Sequence, residues 1–517
     1  MRSDVHSSFI PDCVNWHGTN EKGAMFGLHA YPLHWWVKSI RELGFNCVRL
    51  PISLQNVLDG ATRVDNELLS ANPALQNMSS LQILDACIEA LTQADFVVVI
   101  NIHTLANRNC CTDRDGEGLW YTSHRVEGMA SFSEGQFFDA VTRVARRYRS
   151  NALVAAFDLK NEIRPDRDVF PWLLPSWGGG DIATDWTIAA KRAGLLVLAE
   201  DKDMILIVSA MNFGQYLCDV VTYPLHLDES LQGHIVYTVH HYEFFYIPGY
   251  FVRVISENIN AILGCSCVYT TAVLLLASFV PRWWPPDRVH LTHPGDAATA
   301  TQCRVPILFS VVACASYVAW GVASTYCGLV AEISRLCFEC LLCFLFTGFA
   351  IVMWTRIACR RGLAAVNVQS LFAQFLDSWL FPALGFQFVI LLMCAYIITS
   401  FQTYSKYAKT FDASWGFLGS CSSVDPARTA PVWISEFGVP GDPPEEAVAW
   451  WPWFLRYMSE RNFAGFSYWP LTNGSMSIFD RQLLLRRGTG LLDNKWQDFV
   501  LKPLQHIMRD PMPVPRC

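Results

Sequence analysis

The sequence predicts an α/β protein: a (β/α)8 TIM barrel with an inserted α-helical transmembrane domain of about four helices. Three observations lead to this prediction. Both flanks of the chain alternate short apolar runs with helical patterns, polar residues follow several of those runs, and long apolar stretches are confined to the middle. We expect residues 1–250 to form the N-terminal part of the barrel with strands 1–6, residues 251–404 the insertion, and residues 405–517 the part with strands 7 and 8.

The composition fits a protein that lies partly in lipid. Hydrophobic residues make up 52% of the 517 residues and charged residues only 16%, whereas about 25% charged residues is usual for a soluble protein. The net charge of −7 is modest and the sequence has no basic stripe. Nucleic acid is therefore excluded as an expected partner.

Seven short runs rich in β-branched or aromatic residues predict the strands. They cover residues 46–52, 96–103, 154–162, 204–210, 235–242, 432–438 and 465–470. We place an eighth strand near MFGLHA (25–30), and helical patterns at 81–94 and 137–149 lie between strands. Strands that alternate with helices indicate parallel βα units, and near-continuous apolar strands suit a sheet covered on both faces.

Four apolar stretches predict membrane spans in the insertion: residues 259–280, 305–330, 336–354 and 379–401. Each is close to the ~20 residues that cross a bilayer. An even number of spans returns the chain to the side it left, so the two flanks can form one barrel. A modest excess of Lys and Arg in the loops on the other side predicts a multi-pass membrane protein whose barrel is extracellular or lumenal.

Two alternatives to a membrane domain stay open. The insertion could be a very apolar helical domain outside the membrane, or a segment that does not belong to the mature protein.

Residues 1–18 lack the basic end followed by a long apolar core that is typical of a signal peptide. We therefore expect either that an internal segment directs membrane entry or that the natural start lies upstream.

Polar and aromatic residues gather where the predicted strands end, and in this barrel type the active site lies at the carboxyl ends of the strands. One Asn-Glu pair at a strand end would usually be a solvated edge. Six strands ending in this way, two of them with glutamate, indicate a site. Its candidates are Arg49, His103, Asn161, Glu162, His240, Tyr242, Glu436 and Trp469.

Two glutamates at the mouth of a barrel indicate glycoside hydrolysis. One carboxyl must be protonated to donate to the leaving oxygen while the other, ionised, attacks the anomeric carbon. Asn161 could bind a sugar 2-hydroxyl, and Trp469 offers a flat face to a pyranose ring. No metal cluster is visible, because the adjacent His240 and His241 project to opposite faces of a strand and the cysteines outside the insertion fit no zinc spacing. The disulfide pairing is not readable.

An ordered set of motifs resembles the glycoside hydrolase family 5 cellulases. The set comprises VNWHG (14–18), GFNCVRLPI (44–52), VINIHT (99–104), CCTDRDGEGLWY (110–121), DLKNEIRP (158–165), VHHY (239–242), PVWISEFG (431–438) and YWP (468–470). The resemblance covers essentially the whole chain outside the insertion. It implies a retaining double displacement that needs no cofactor and no metal.

The resemblance also implies a role for each candidate. Glu162 would be the general acid/base and Glu436 the nucleophile. The other six would bind or orient: Arg49 would hold Glu436 ionised, His240 and Tyr242 would orient the two carboxylates, His103 and Asn161 would bind the reacting sugar, and Trp469 would form its platform.

The sequence departs from the family pattern in three places. Ile163 and Arg164 replace the usual small residues after the catalytic Asn-Glu, and Ser435 stands where glycine is common before the nucleophile. The insertion of about 150 residues follows predicted strand six, on the face where such barrels carry their chemistry.

The leading expectation is a membrane-anchored endo-β-1,4-glucanase whose partners are a β-glucan, or another β-linked glycan, and the lipid bilayer. Two alternatives stay open. The same carboxylates could cleave a glycolipid of the glucosylceramide type, or the protein could be an inactive glycan-binding membrane scaffold.

Overall fold

The computed structural model describes residues 11–168, 172–242, 404–419, 424–439, 450–472 and 491–492. They belong to one compact unit formed by residues 1–250 and 400–517. All four predicted membrane spans fall within residues 243–403, outside the described residues. The transmembrane insertion and its boundaries therefore stay predictions.

Eight parallel strands form a closed barrel in sequence order, which confirms the predicted (β/α)8 fold. Each strand pairs with the next, and β8 pairs with β1. The strands are β1 Asp12–Asn15, β2 Cys47–Ser53, β3 Val97–Thr104, β4 Val154–Asp158, β5 Ile205–Ser209, β6 Ile235–His241, β7 Val432–Phe437 and β8 Phe466–Tyr468.

Helices connect the strands in the described part of the chain. They are α1 Thr19–Lys22, α2 Leu33–Glu42, α3 Leu54–Asp59, α4 Ser80–Gln93, α5 Glu134–Tyr148, α6 Trp186–Glu200, α7 Met211–Gly214, α8 Tyr404–Ser414 and α9 Trp450–Ser459. Short 3-10 turns cover Asn66–Leu69, Pro73–Leu75, Cys218–Val221, Leu225–Leu227, Gly416–Gly419 and Pro426–Arg428.

Local sequence signals set where the long helices begin. Ser79 caps α4 and Ser133 caps α5, and in both helices a glutamine three residues later completes a capping box. Such a box satisfies two backbone N–H groups that the first turn leaves unpaired. The two helical patterns read from the sequence, 81–94 and 137–149, are thus confirmed to within three residues at each end.

The barrel interior changes from apolar to polar toward the carboxyl ends of the strands. One buried cluster joins Cys13, Cys47, Val99, Ala156, Ile207 and Trp433. Two residues further along each strand, on the same face by the period of a strand, stand Asn15, Arg49, Asn101, Asp158, Ser209 and Ser435, all fully buried. A disulfide joins Cys13 of β1 to Cys47 of β2 in the apolar layer. This polar layer forms the floor of the candidate site, which lies at the carboxyl ends of the strands.

The prediction of a strand near residues 25–30 is wrong. Residues 26–30 form a turn, and the first strand is Asp12–Asn15. Gly27 has φ +99°, and a Cβ there would lie 2.1 Å from the Trp36 ring, so this segment is a close-packed turn that requires glycine. The sequence did not reveal the true first strand because that strand has only four residues and ends on an asparagine.

In the part of the chain that the structure describes, no helix combines the length and apolar character that crossing a bilayer requires.

Candidate active site

Arg49 organises the floor of the site from inside the barrel. Its Nη1 donates to Glu436 Oε1 at 2.7 Å and to Asn15 Oδ1 at 2.8 Å. Its Nε and Nη2 donate to Asp158 Oδ2 at 3.0 and 2.8 Å, and Nη2 also donates to Asn161 Oδ1 at 2.8 Å. Burial opposes the charge on Arg49, but the two carboxylates outweigh it and raise its pKa. The guanidinium therefore stays charged.

The sequence predicts Arg49 at the end of a strand. In the structure it is instead the third of the seven residues of β2. Arginine is long enough to present its guanidinium to the carboxylates from the middle of the strand, which explains the difference.

Glu162 lies four residues beyond the end of β4 and has a left-handed backbone, with φ 41°. Such a conformation costs a non-glycine residue about 1–3 kcal/mol and persists only where surrounding contacts hold it. Its Oε1 lies 2.8 Å from His240 Nδ1. Burial raises the pKa of Glu162 to about 7, although the charges of Arg164 and Lys160 oppose the rise. This carboxyl is suited to hold a proton near neutral pH.

Glu436 is the fifth of the six residues of β7. Its Oε2 accepts a hydrogen bond from the Tyr242 hydroxyl at 3.1 Å, and its Oε1 accepts from Arg49. Burial raises the pKa of Glu436, and the charge of His240, when that ring is protonated, and the charge of Arg49 oppose the rise. Burial holds the pKa of Tyr242 well above its usual value, so the phenol remains a donor.

His240, near the end of β6, stands between the two glutamates. Its Nδ1 lies 2.8 Å from Glu162 and 3.5 Å from Glu436 Oε2. Burial lowers the pKa of His240 to about 4, so the ring is neutral near pH 7. One oxygen of each glutamate and one ring nitrogen all lie within 4.8 Å of one another. Such closeness would also suit a metal ion, so a metal-free site stays a prediction.

His103 and Trp469 form the aromatic side of the site. Their rings stack with centroids 5.2 Å apart and planes within 4°, and His17 lies 5.1 Å from the same indole. His103 Nδ1 lies 2.8 Å from Asn101 Oδ1 and 3.9 Å from Glu436 Oε1. Burial holds the pKa of His103 well below its usual value. A neutral imidazole thus supports one face of the half-buried Trp469.

A loop after β3 lies beside Asn161 and Glu162. Cys110 and Cys111 are adjacent in the chain, and both sulfur atoms lie 3.6 Å from Asn161 Nδ2. Further along this loop, Asp115 accepts hydrogen bonds from the backbone N–H groups of Thr112 and Glu117. Arg164 N donates to the Gly118 carbonyl at 3.0 Å, so this loop is joined to the segment that carries Asn161 and Glu162.

The structure brings all eight predicted residues together through the contacts above, but their roles stay predictions. Sequence reasoning missed four residues that support them: Asn15, Asn101, Asp158 and Lys160. It noticed a fifth, Arg164, only as a departure from the family pattern. The same-face period could have revealed Asn15 and Asp158, because each follows a buried apolar residue by two positions. Lys160 is fully buried and donates to the Asn161 carbonyl at 2.9 Å; burial lowers its pKa to about 8.

A family model described as "Cellulase (glycosyl hydrolase family 5)" matches residues 13–253. Among curated proteins, an "Endoglucanase" of Paenibacillus polymyxa is 29% identical over 245 residues, which cover 44% of this chain and 55% of that protein. The "Major extracellular endoglucanase" of Xanthomonas campestris pv. campestris is 33% identical over 188 residues, or 36% and 34% of the two chains. The chain thus spans about half or less of the length of these relatives.

Solved structures share the fold. A hyperthermophilic endocellulase from the archaeon Pyrococcus horikoshii superposes with a TM-score of 0.56 at 18% identity, covering 97% of this chain and 93% of that one. The catalytic domain of the major endoglucanase of Xanthomonas campestris pv. campestris gives a TM-score of 0.54 at 18% identity, covering 96% and 95%. At such identities the likeness concerns the fold alone.

Proposed function

We propose that this chain, a glycoside hydrolase by its likeness to the family 5 cellulases, is a retaining endo-β-1,4-glucanase that acts on a β-glucan. One observation carries the proposal: oxygens of Glu162 and Glu436 lie within 4.8 Å of each other. Retaining glycosidases hold their carboxyl groups about 5–5.5 Å apart, whereas inverting enzymes need about 6.5–9.5 Å to admit a water molecule. Relatives named as endoglucanases support the choice of substrate.

In the first step Glu436, ionised, forms a bond from its carboxylate oxygen to the anomeric carbon. The bond from that carbon to the glycosidic oxygen breaks, and Glu162 gives its proton to the departing oxygen. In the second step Glu162, now ionised, takes a proton from water, whose oxygen attacks the anomeric carbon and releases Glu436. Two inversions leave the product with the β configuration of the substrate.

The neighbours of the two glutamates supply the unequal environments that this cycle needs. Glu436 receives hydrogen bonds from Arg49 and Tyr242, both of which favour its ionised form. Glu162 has the neutral His240 as its close partner, and its pKa of about 7 lets it give and take a proton near neutral pH. The two carboxyl groups are thereby suited to different tasks.

Two further side chains are suited to the reacting sugar. Asn161 is held through its Oδ1 by Arg49, which fixes its amide where it can donate to a sugar 2-hydroxyl. The stacked pair of His103 and Trp469 offers an aromatic face of the kind on which pyranose rings pack.

The proposal includes a membrane anchor. Residues 251–404 would cross a bilayer about four times and hold the barrel on the extracellular or lumenal side. The four apolar stretches are each long enough, at about 20 residues or more, to support this, as does the distribution of Lys and Arg around them. Resistance of the full-length chain to alkaline carbonate extraction from membranes, with the barrel protected from protease in sealed microsomes, tests the anchor.

The activity is tested by sugar release from full-length protein in microsomes. Soluble β-1,4-glucan and glucosylceramide are offered side by side to the natural chain, to Glu436→Gln and to Glu162→Gln. Glu89→Gln, an exposed carboxylate on α4, is the matched control. Cleavage of the glucan that both site variants lose and the control keeps is the expected result. Cleavage of the lipid alone would mean that the substrate is a glycolipid and not a β-glucan. If neither substrate is cleaved in a way that depends on Glu162 and Glu436, the proposal is overturned.

Stereochemistry tests the mechanism separately from the substrate. Proton NMR of the first product should show the β-anomer before mutarotation sets in. An initial α-anomer would contradict the double displacement, because inversion would then have taken place only once.

A further inference from the structure

Arg164, one of the departures from the family pattern, is a buried cation that touches the backbone of Glu162. Its side chain is 1% exposed. Nη1 donates to the Glu162 carbonyl at 2.8 Å, Nη2 to Asp115 Oδ2 at 2.6 Å, and Nε to the Thr112 carbonyl at 2.7 Å. A buried guanidinium is costly unless its donors are satisfied. Here three nitrogens bind three different groups, so the side chain is held in one orientation.

The residue that Arg164 holds has an unfavourable backbone conformation. Glu162 has φ 41°, and a left-handed non-glycine residue must be held by its surroundings. The peptides that follow it are fixed from two sides. Arg164 N donates to the Gly118 carbonyl at 3.0 Å, and Phe213 N donates to the Ile163 carbonyl at 3.2 Å.

On the far side of Arg164, the short segment α7 is not a regular helix, because its last three residues have left-handed backbone. Asn212, Phe213 and Gly214 have φ of 52°, 60° and 79°, and the Arg164 guanidinium lies 5.7 Å from the Phe213 ring centroid. Gly214 packs against His240, because a Cβ there would lie 2.8 Å from the imidazole. This strained segment therefore supports both Arg164 and the histidine that contacts Glu162.

We propose that Arg164 is a positioning residue for the general acid/base: anchored on Asp115 and Thr112, it fixes the backbone of Glu162 so that its carboxyl group meets the glycosidic oxygen. The inference rests on the proposed function. It assigns a mechanistic use to a buried ion pair that would otherwise only join the loop after β3 to the loop after β4. A positioning role and a purely structural role can be told apart, because they differ in the substrates whose kcat/KM falls when the ion pair is removed.

Proton donation matters only for a leaving group that needs the proton. A sugar or a phenol with a high pKa leaves slowly unless Glu162 protonates it, whereas dinitrophenolate leaves unprotonated. The kcat/KM value reports the first step alone in a double displacement, so a displaced acid lowers kcat/KM for the first kind of substrate and spares the second. A general loss of structure would lower both.

The test compares three forms of the full-length protein with the natural chain. Arg164→Lys keeps the charge but has one nitrogen in place of three, and the double variant Arg164→Gln/Asp115→Asn removes the whole pair without leaving a buried charge unpartnered. Arg167→Gln is the matched control, because Arg167 pairs with Asp113 at 3.4 Å between the same two loops. The substrates are cellotetraose, phenyl β-cellobioside and 2,4-dinitrophenyl β-cellobioside.

For both Arg164 variants we expect kcat/KM to fall about 10- to 100-fold on cellotetraose and on the phenyl glycoside, part of the 10²–10⁴-fold that a positioned acid contributes. The dinitrophenyl glycoside should show little change, and Arg167→Gln should follow the natural chain on all three. The charge of Arg164 opposes the rise in the pKa of Glu162. The double variant also removes Asp115, whose charge raises the pKa of Glu162, but the effect of Arg164 is the larger of the two. The alkaline limb of the kcat/KM profile should therefore move to higher pH in the double variant.

Equal losses on all three substrates, or no loss on any, would overturn the inference while leaving the proposed function standing. If the natural chain cleaves none of them, the proposed function fails and the inference with it. Thermal melts show whether each variant is folded. If the double variant is not, Arg164→Lys decides, because it keeps the charge that balances Asp115.

Discussion

The guanidinium of Arg49 donates to Oε1 of Glu436 at 2.7 Å, although 387 positions separate the two residues in the chain. Their side chains are 0% and 5% exposed. The ion pair links β2, in the N-terminal half of the barrel, to β7, which follows the insertion. The site therefore exists only when both flanks have closed into one barrel.

Replacing Arg49 with alanine should destabilise the barrel and abolish activity. The substitution leaves Glu436 and Asp158 buried without their cation, and breaking such a pair costs about 3–5 kcal/mol. We expect the free energy of unfolding, from denaturant titration, to fall by that amount. Arg143→Ala is the control, because Arg143 pairs with Asp139 at the surface, where loss of a pair costs about 0–1 kcal/mol. Similar losses in the two variants would refute this view of the buried pair.

The pH dependence of kcat/KM should be bell-shaped. Activity should rise as Glu436 loses its proton and becomes a nucleophile, and fall as pH passes about 7 and Glu162 loses the proton that the leaving group needs. The two apparent values belong to the coupled pair. Initial rates on soluble β-glucan at subsaturating concentration give the profile. A flat profile from acid to neutral pH would contradict the assignment.

Tyr242→Phe should weaken catalysis and shift the acid limb. The variant loses the hydrogen bond to Glu436 Oε2, and a hydrogen bond to a charged group contributes about 1.5–3 kcal/mol, so kcat/KM should fall about 10- to 100-fold. The ionised nucleophile is then less favoured, its pKa rises, and the acid limb moves to higher pH.

Tyr148→Phe is the matched control for Tyr242. Its hydroxyl donates to Asp85 Oδ1 at 2.9 Å, between α5 and α4 and outside the candidate active site. It should leave the pH profile of kcat/KM unchanged. An unchanged acid limb in Tyr242→Phe would show that its hydroxyl does not support the ionised form of Glu436.

The disulfide between Cys13 and Cys47 should stabilise the barrel without serving catalysis. It closes a loop across 34 positions, and loop entropy of that size is worth about 3–4 kcal/mol in the chain-entropy account. The double variant Cys13→Ala/Cys47→Ala should lose that much free energy of unfolding and keep its kcat/KM at 25 °C. Cys218→Ala, which removes an exposed free thiol, should change neither, and an unchanged stability in the double variant would contradict the prediction.

The strands that the sequence reveals are those with long apolar runs. The runs at 96–103 and 235–242 correspond to Val97–Thr104 and Ile235–His241 because such runs are typical of strands covered on both faces. Strand β1 has four residues and only two apolar ones at its centre. It is a strand because β2 and β8 pair with it, and that pairing is not visible in its own residues.

The catalytic candidates were visible because carboxylates and histidines that interrupt apolar runs demand an explanation. Asn15 and Asp158 were not, and Arg164 stood out only as a departure from the family pattern, because each acts through a partner on another element. Asn15 and Asp158 bind Arg49, and Arg164 binds Asp115. Which side chains meet depends on register between strands, and the barrel shifts register beside His240 and Glu436.

The sequence by itself determined the parallel βα architecture, the identity of the two glutamates and the polar ends of the strands, because hydrophobic period and costly buried charge are local properties of a chain. Only the tertiary structure decided the distance between Glu162 and Glu436, the central position of Arg49 and the left-handed backbone of Glu162. Those features arise when eight strands close on one another, since closure brings together residues that are hundreds of positions apart and buries them in a common low-dielectric interior.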